Sequence, residues 1–159
     1  MQSYTIDCVL IMLNRQVILI NRPSGIAQAE DFEIVENSVP NISDGQFLVQ
    51  NLFLSVEPAM RGWIADKNNY SAPVAIGAPM RAISVGKIVA SKHDGFAVDD
   101  HVCGWFGWQD FCAATPDMVI RKITEHDLPL SLHLGILGIN GITAYLAMTN
   151  IGRPKPGDM

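Results

Sequence analysis

Short runs in which apolar and polar residues alternate recur along most of the chain, and the pattern predicts strands separated by turns. NRQVILIN, residues 14–21, is a β-rich apolar run closed by Pro23 and Gly25. A second strand is expected from Phe32 to Val35, ended by the turn-forming group Pro40 to Gly45. QFLVQNLFLSV, residues 46–56, sets Phe47, Val49, Asn51 and Phe53 on one face and Leu48, Gln50, Leu52 and Leu54 on the other. Apolar residues on both faces suit a strand inside a barrel or sandwich. Pro58, Gly62, Pro73, Gly77 and Pro79 mark residues 57–80 as mostly loop, with room for one helical turn. Strand patterns return at Ala82 to Ala90, His101 to Trp105, Trp108 to Ala114 and Met118 to Ile123. Asp99-Asp100 is expected to turn the chain, because aspartate tolerates left-handed backbone angles.

The spacing changes to a helical one over Leu128–Ile151, with Asp127 or Ser131 as candidate N-cap. Gly135, Gly138 and Gly141 each weaken such a helix by roughly 1 kcal/mol relative to alanine. Three residues apart, they lie near one face, where another backbone or a ligand can approach closely. Gly152-Arg-Pro-Lys-Pro-Gly157 ends the helix. Many short strands followed by one helix predict a mainly β fold with short helices, a barrel or sandwich.

Composition narrows the function. The chain has 159 residues, enough for one domain or one domain plus a fragment, and 48% of them are hydrophobic against 17% charged, which argues for a packed core. A net charge of −5 leaves no basic surplus to neutralise phosphates, so nucleic acid is not an expected partner. Cys8, Cys103 and Cys112 form no CxxC pair, which argues against a disulfide framework or structural zinc. Cys103 and Cys112 fall on neighbouring predicted strands and are expected to be buried thiols. The apolar run Val9–Leu13 is too short for a bilayer and lacks a preceding Lys or Arg, so a soluble cytoplasmic protein without membrane contact is expected.

Five segments, in order, resemble one family. They are Leu54-Ser-Val-Glu-Pro-Ala-Met-Arg-Gly62, Met80-Arg-Ala-Ile-Ser-Val-Gly-Lys-Ile-Val89, Phe96-Ala-Val-Asp-Asp-His-Val102, Gly107-Trp-Gln-Asp-Phe111 and Leu137-Gly-Ile-Asn-Gly-Ile-Thr-Ala-Tyr145. Together they resemble the medium-chain dehydrogenase/reductase superfamily, in its zinc-independent alkenal, prostaglandin and quinone reductase branch. The resemblance implies a GroES-like, partly open β-barrel over residues 12–130 and a long connecting helix over 131–151. Residues 152–159 then read as a stub leading to a nucleotide-binding domain, and residues 1–11 as an unmatched extension. No strand–GxGxxG–helix unit occurs in the 159 residues, so the Rossmann domain is expected to be absent and the chain truncated, a natural fragment or a gene remnant.

By the same resemblance the reaction is hydride transfer from NADPH to the C=C bond of a small enone or quinone-like substrate. This chain alone is expected neither to hold NADPH tightly nor to turn over. Thr143, with Ile139 nearby, matches the family's contact to the nicotinamide, although a threonine in an apolar helix equally bonds its own i−4 carbonyl and packs in a core. Met60 and Arg61 match the substrate-side loop, and Ala59 and Ile83 stand where relatives carry tyrosines. Arg61 is the more readily read as a structural residue, with Glu57 as its candidate partner. No metal is expected: Val56-Glu57-Pro58 lacks the ligating cysteine of zinc-dependent relatives, and His93, His101, His126 and His133 have no ligand spacing. Trp63, Trp105 and Trp108, without basic neighbours, read as core or pocket aromatics. The alternative function is a non-catalytic ligand-binding or assembly module, forming a homo-oligomer or pairing with a separate nucleotide-binding chain through the exposed face of the helix.

Overall fold

The computed structural model describes residues 12–67, 70–125 and 127–158. The extension 1–11, Cys8 and His126 lie outside the described residues. Strand β1 (Leu13–Leu19) pairs antiparallel with β2 (Phe32–Ser38) as a two-stranded ribbon. The remaining strands are β3 (Phe47–Leu54), β4 (Ser84–Ser91), β5 (His101–Gly104), β6 (Phe111–Ala114) and β7 (Val119–Ile123). They form one five-stranded antiparallel sheet in the order β6-β3-β4-β5-β7. The two sheets meet through isolated bridges at Gln16–Gln109 and Ile18–Pro79 rather than a continuous ladder. The result is mainly β, as the alternating pattern predicts, and open, as the family resemblance implies.

The alternation on β4 explains how one strand serves two cores. Ile83 and Val85 point to one side, into a cluster with Cys103 and Ile123 that Leu130 and Leu134 cover. Ile88 points to the other side, into the cluster of Phe47, Val49, Val102, Phe106, Cys112 and Ala114. A third cluster joins Leu19, Met60, Trp63, Ile64, Val74, Met80 and Ala82 between the ribbon and the 57–80 segment. β3 is buried only in its first half, and Leu52, Phe53 and Leu54 are exposed, so its two-faced apolar pattern does not place the whole strand inside.

Asn14, 2% exposed, ties the ribbon to the sheet. Its Oδ1 accepts the Phe111 N–H at 2.8 Å and its Nδ2 donates to the Phe111 carbonyl at 3.0 Å, copying a strand pair with one side chain. Removing it strands both backbone groups in a dry site. Asn14→Ala is therefore expected to cost about 2 kcal/mol and lower Tm by roughly 6 °C, read by thermal unfolding.

Three sequence expectations need correction. The strand expected from Trp108 starts at Phe111: Gly107 sits at φ +71°, and the N–H groups of Gly107 and Trp108 donate to the carbonyls of Ala82 and Met80 instead of a ladder partner. The expected helix from residue 131 is interrupted. Leu130–Leu134 is a 3-10 turn, helix α2 runs over Ile139–Leu146 and continues as a wider turn through Ala147–Gly152. Its N-cap is Gly138, so neither Asp127 nor Ser131 fills that role. Cys103 and Cys112 are both buried, as expected, but their strands are neighbours only in sequence: β3 and β4 stand between them in the sheet, and the two thiols belong to different clusters.

Candidate functional site

Past the end of β3 the chain is fixed in place by its neighbours. Ser55 donates its N–H to the Ile83 carbonyl at 2.8 Å, and its Oγ accepts the Ile83 N–H at 3.1 Å. The same hydroxyl donates to Glu57 Oε1 at 2.8 Å, and Trp108 Nε1 donates to the Ser55 carbonyl at 3.0 Å. Residues 54–57 thus become a rigid wall. On the far side, Gly138 and Gly141 let the start of α2 fold back on the 3-10 turn: a Cβ at Gly138 would meet the His133 carbonyl, and one at Gly141 the Ile136 carbonyl. This is the close backbone approach that their spacing suggested.

Between the two walls lies a cavity of about 250 Å³. Leu54, Ile83, Ile120, Leu137, Ile139 and Ile142 give it an apolar lining, and Glu57, Arg121, His133 and Asn140 add polar groups. A mostly apolar cleft with a few convergent polar groups is the usual form of a small-molecule site. Arg121 is tied across its rim, its Nη2 donating to both carboxylate oxygens of Glu125 at 2.7 Å. His133 is 1% exposed, and neither ring nitrogen has a hydrogen-bond partner. Burial first, and the nearby Arg121 charge second, hold its pKa below the ordinary 6.5, with Glu125 acting in the opposite sense.

The sequence-derived site residues divide. Ile83 and Ile139 line this cavity. Thr143 is exposed one turn beyond Ile139 on α2, on the same face by helical spacing. Met60 opens the short helix α1 (Met60–Trp63) and is buried in the third cluster, with Ala59 packed against the same cluster, so both support the loop from behind. Arg61 does not pair with Glu57. Its Nε donates to the Gly25 carbonyl at 3.0 Å and its Nη2 to the Pro23 carbonyl at 3.3 Å, clamping the loop after β1. The sequence pattern marks neither Arg121 nor His133 as a site residue. The signal for His133 was an imidazole inside the apolar run from Leu128 to Ile151.

A second, wider depression of about 350 Å³ is lined by Trp63, Tyr70, Ser71, Arg81 and Trp105. Trp63 and Trp105 pack edge to face at 5.9 Å, and the Arg81 guanidinium lies 5.6 Å from the Trp63 ring centre. It opens broadly to solvent and lies apart from Ile83 and Ile139, so its greater volume does not make it the better site. Burial pushes the Cys103 and Cys112 thiols up to about 11, the protonated and inert state. Among the described residues no group of three or more His, Cys, Asp or Glu is arranged to hold a metal ion. No helix among them is long and apolar enough to cross a membrane.

Helix α2 and the turn after it present an apolar face to solvent: Ile139, Ile142, Tyr145, Leu146, Met148 and Ile151 are all exposed.

Residues 15–122 match the family model for the N-terminal domain of oxidoreductase. The chain is 38% identical over 145 residues to an NADPH-dependent curcumin reductase of Escherichia coli, covering 91% of this chain and 42% of the relative. It is 35% identical over 150 residues to a 2-alkenal reductase (NADP(+)-dependent) of Nicotiana tabacum, covering 91% and 43%. Among solved structures it is similar to CurA from Vibrio vulnificus, with a TM-score of 0.79 and 34% identity over 91% of this chain and 42% of that one. CurA has also been solved in complex with NADPH. The chain thus spans about two-fifths of the length of the relatives it matches.

Proposed function

Since the chain belongs to the oxidoreductase N-terminal-domain family of the medium-chain dehydrogenase/reductase superfamily, we propose that it forms the substrate-side half of an NADPH-dependent, zinc-independent reductase acting on the C=C bond of small α,β-unsaturated carbonyl compounds. The observation that carries this reading is that Ile83 and Ile139 share one cavity. The first stands on the substrate side by resemblance, and the second on the nicotinamide side.

In this reading each wall has a task. Leu54, Ile83 and Ile142 hold the carbon skeleton and exclude water, which restricts the substrate to a few orientations before reaction. Ile139 and Thr143 face the nicotinamide, and the exposed apolar side of α2 is the seat of the nucleotide-binding portion. Ile139 fits that role because it is half-exposed while it also lines the cavity, and Thr143 is exposed one turn further along α2. When bound, NADPH supplies a hydride for the β-carbon of the alkene. The rigid Ser55–Glu57 wall keeps the alkene from retreating out of reach.

The 159 residues contain no glycine-rich loop to grip a pyrophosphate at a helix N-terminus, so the chain by itself is expected to oxidise no NADPH in the presence of an enone. The decisive test is a hybrid in which this chain replaces the matching N-terminal portion of the E. coli relative. NADPH oxidation that depends on cyclohexenone is the expected result. A folded hybrid that takes up NADPH yet reduces no enone would overturn the proposal.

A further inference from the structure

His133 is the residue of the cavity whose state is hardest to explain by packing. Its ring is enclosed at 1% exposure with both Nδ1 and Nε2 unpartnered, whereas buried polar atoms are as a rule hydrogen-bonded. An apolar side chain at this position would fill the turn without that penalty. Its backbone is already employed: the His133 carbonyl lies 3.9 Å from the Cys103 sulfur and beneath Gly138, which fixes where the residue sits in the turn. His133 is one of the residues that line the cavity, with its two ring nitrogens enclosed behind that wall.

The charged groups facing this ring are Arg121, on β7, and Glu125, just beyond it. They bond to one another, so neither offers an unbalanced charge to a ligand. Burial and Arg121 keep the imidazole neutral. A neutral imidazole has one N–H donor and one bare nitrogen. Glu57, the other charged group of the lining, disfavours an anion, so the cavity asks for a ligand without negative charge, with an acceptor oxygen and an apolar body. A carboxylate or phosphate would have to displace Glu125 from Arg121.

We propose that His133 is the specificity-determining donor of this cavity: its ring N–H binds the carbonyl oxygen of a small enone whose carbon skeleton lies against Leu54, Ile83 and Ile142. The inference rests on the reading of the cavity as the substrate side of a C=C reductase. It adds which residue selects a carbonyl over a plain alkene.

The test compares cyclohexenone with cyclohexene, which matches its ring but lacks the oxygen, using the uniformly 15N-labelled 159-residue chain. Cyclohexenone is expected to bind about tenfold tighter than cyclohexene and to shift a His133 ring nitrogen. In His133→Leu the two ligands should bind alike, and His133→Asn, which keeps an N–H donor, should recover part of the preference. His133→Leu should also raise Tm in the absence of ligand, because it removes unpaired polar atoms from a dry site. The ring-nitrogen shift is read on the unaltered chain and does not depend on any variant folding. Tight enone binding that His133→Leu leaves unchanged, as expected if the ring serves only an ordered water, overturns this inference and leaves the reductase reading intact. Failure of cyclohexenone to perturb any cavity residue overturns both.

Discussion

Gly86→Val is expected to lower the Tm of the chain by about 10 °C, equivalent to roughly 3 kcal/mol, in a reversible thermal or urea unfolding experiment. Gly86 lies buried in β4, between β3 and β5, and pairs with Asn51 and Val102. A Cβ there would collide with Val49 Cγ1 and stand 2.6 Å from the Gln50 carbonyl oxygen. The side chain of Val49 is β-branched and buried in one cluster with Phe47 and Cys112, so a shift of its methyl groups disturbs the packing around it. The backbone obstacle is worse, since Gln50 is held in ladders on both sides. Moving it means opening β3 from β4 where the register already shifts, between Asn51 and Phe53. Gly86→Ala makes the same contacts with less bulk and should fall between. An unchanged Tm in both variants would mean that β3 and β4 pack more loosely here than the structure has them.

The strands were legible because they obey a two-residue period and end at residues with turn chemistry. Asp99 takes φ +75° in the turn expected of it, with its carboxylate salt-bridged to Lys87 at 2.6 Å. What local pattern does not encode is which partner a backbone segment will choose. Trp108 and Gln109 have the composition of a strand, but they bond to Met80 and to β1 because a left-handed Gly107 has already turned the chain. The helix boundary fails for a related reason. Period alone runs straight through Gly135 and Gly138, while the structure uses them to turn the chain twice. At the site, Ile83 and Ile139 were reached only through family resemblance. His133 and Arg121 come from segments that contribute nothing recognisable as a motif, and only the packing of the 3-10 turn on β4 and β5 brings them to one cavity. Arg61 shows the converse: the type of role was readable from a loop arginine, but its acceptors at Pro23 and Gly25 are some forty residues away and could not be.

Gly141→Val should separate the site from the fold. A side chain at residue 141 would run into the backbone of Ile136, its carbonyl oxygen foremost, and a peptide carbonyl cannot rotate aside as a side chain can. Something must move, and the two sides of the clash differ in how firmly they are held. The 136–138 segment is anchored by the N–H groups of Leu137 and Gly138, which donate to the carbonyls of Leu132 and Gly135, and the turn before it packs on β4 through Leu130 and Leu134. Helix α2 has no buried residue and no contact with the sheet of comparable strength. The helix is therefore expected to give way, at a small fraction of the cost of opening β3 from β4. Circular dichroism should lose most of its helical signal, while the sheet melts within a few degrees of the parent chain. Because Ile139, Asn140 and Ile142 form one wall of the cavity, cyclohexenone affinity should fall by more than tenfold despite the intact sheet. Gly86→Val is expected to give the opposite signature, a large loss of Tm with ligand binding retained at temperatures where the chain is still folded. If Gly141→Val instead lowered Tm as far as Gly86→Val does, α2 would have to be part of the cooperative core. Its exposed apolar face would then be packed in solution against something other than water.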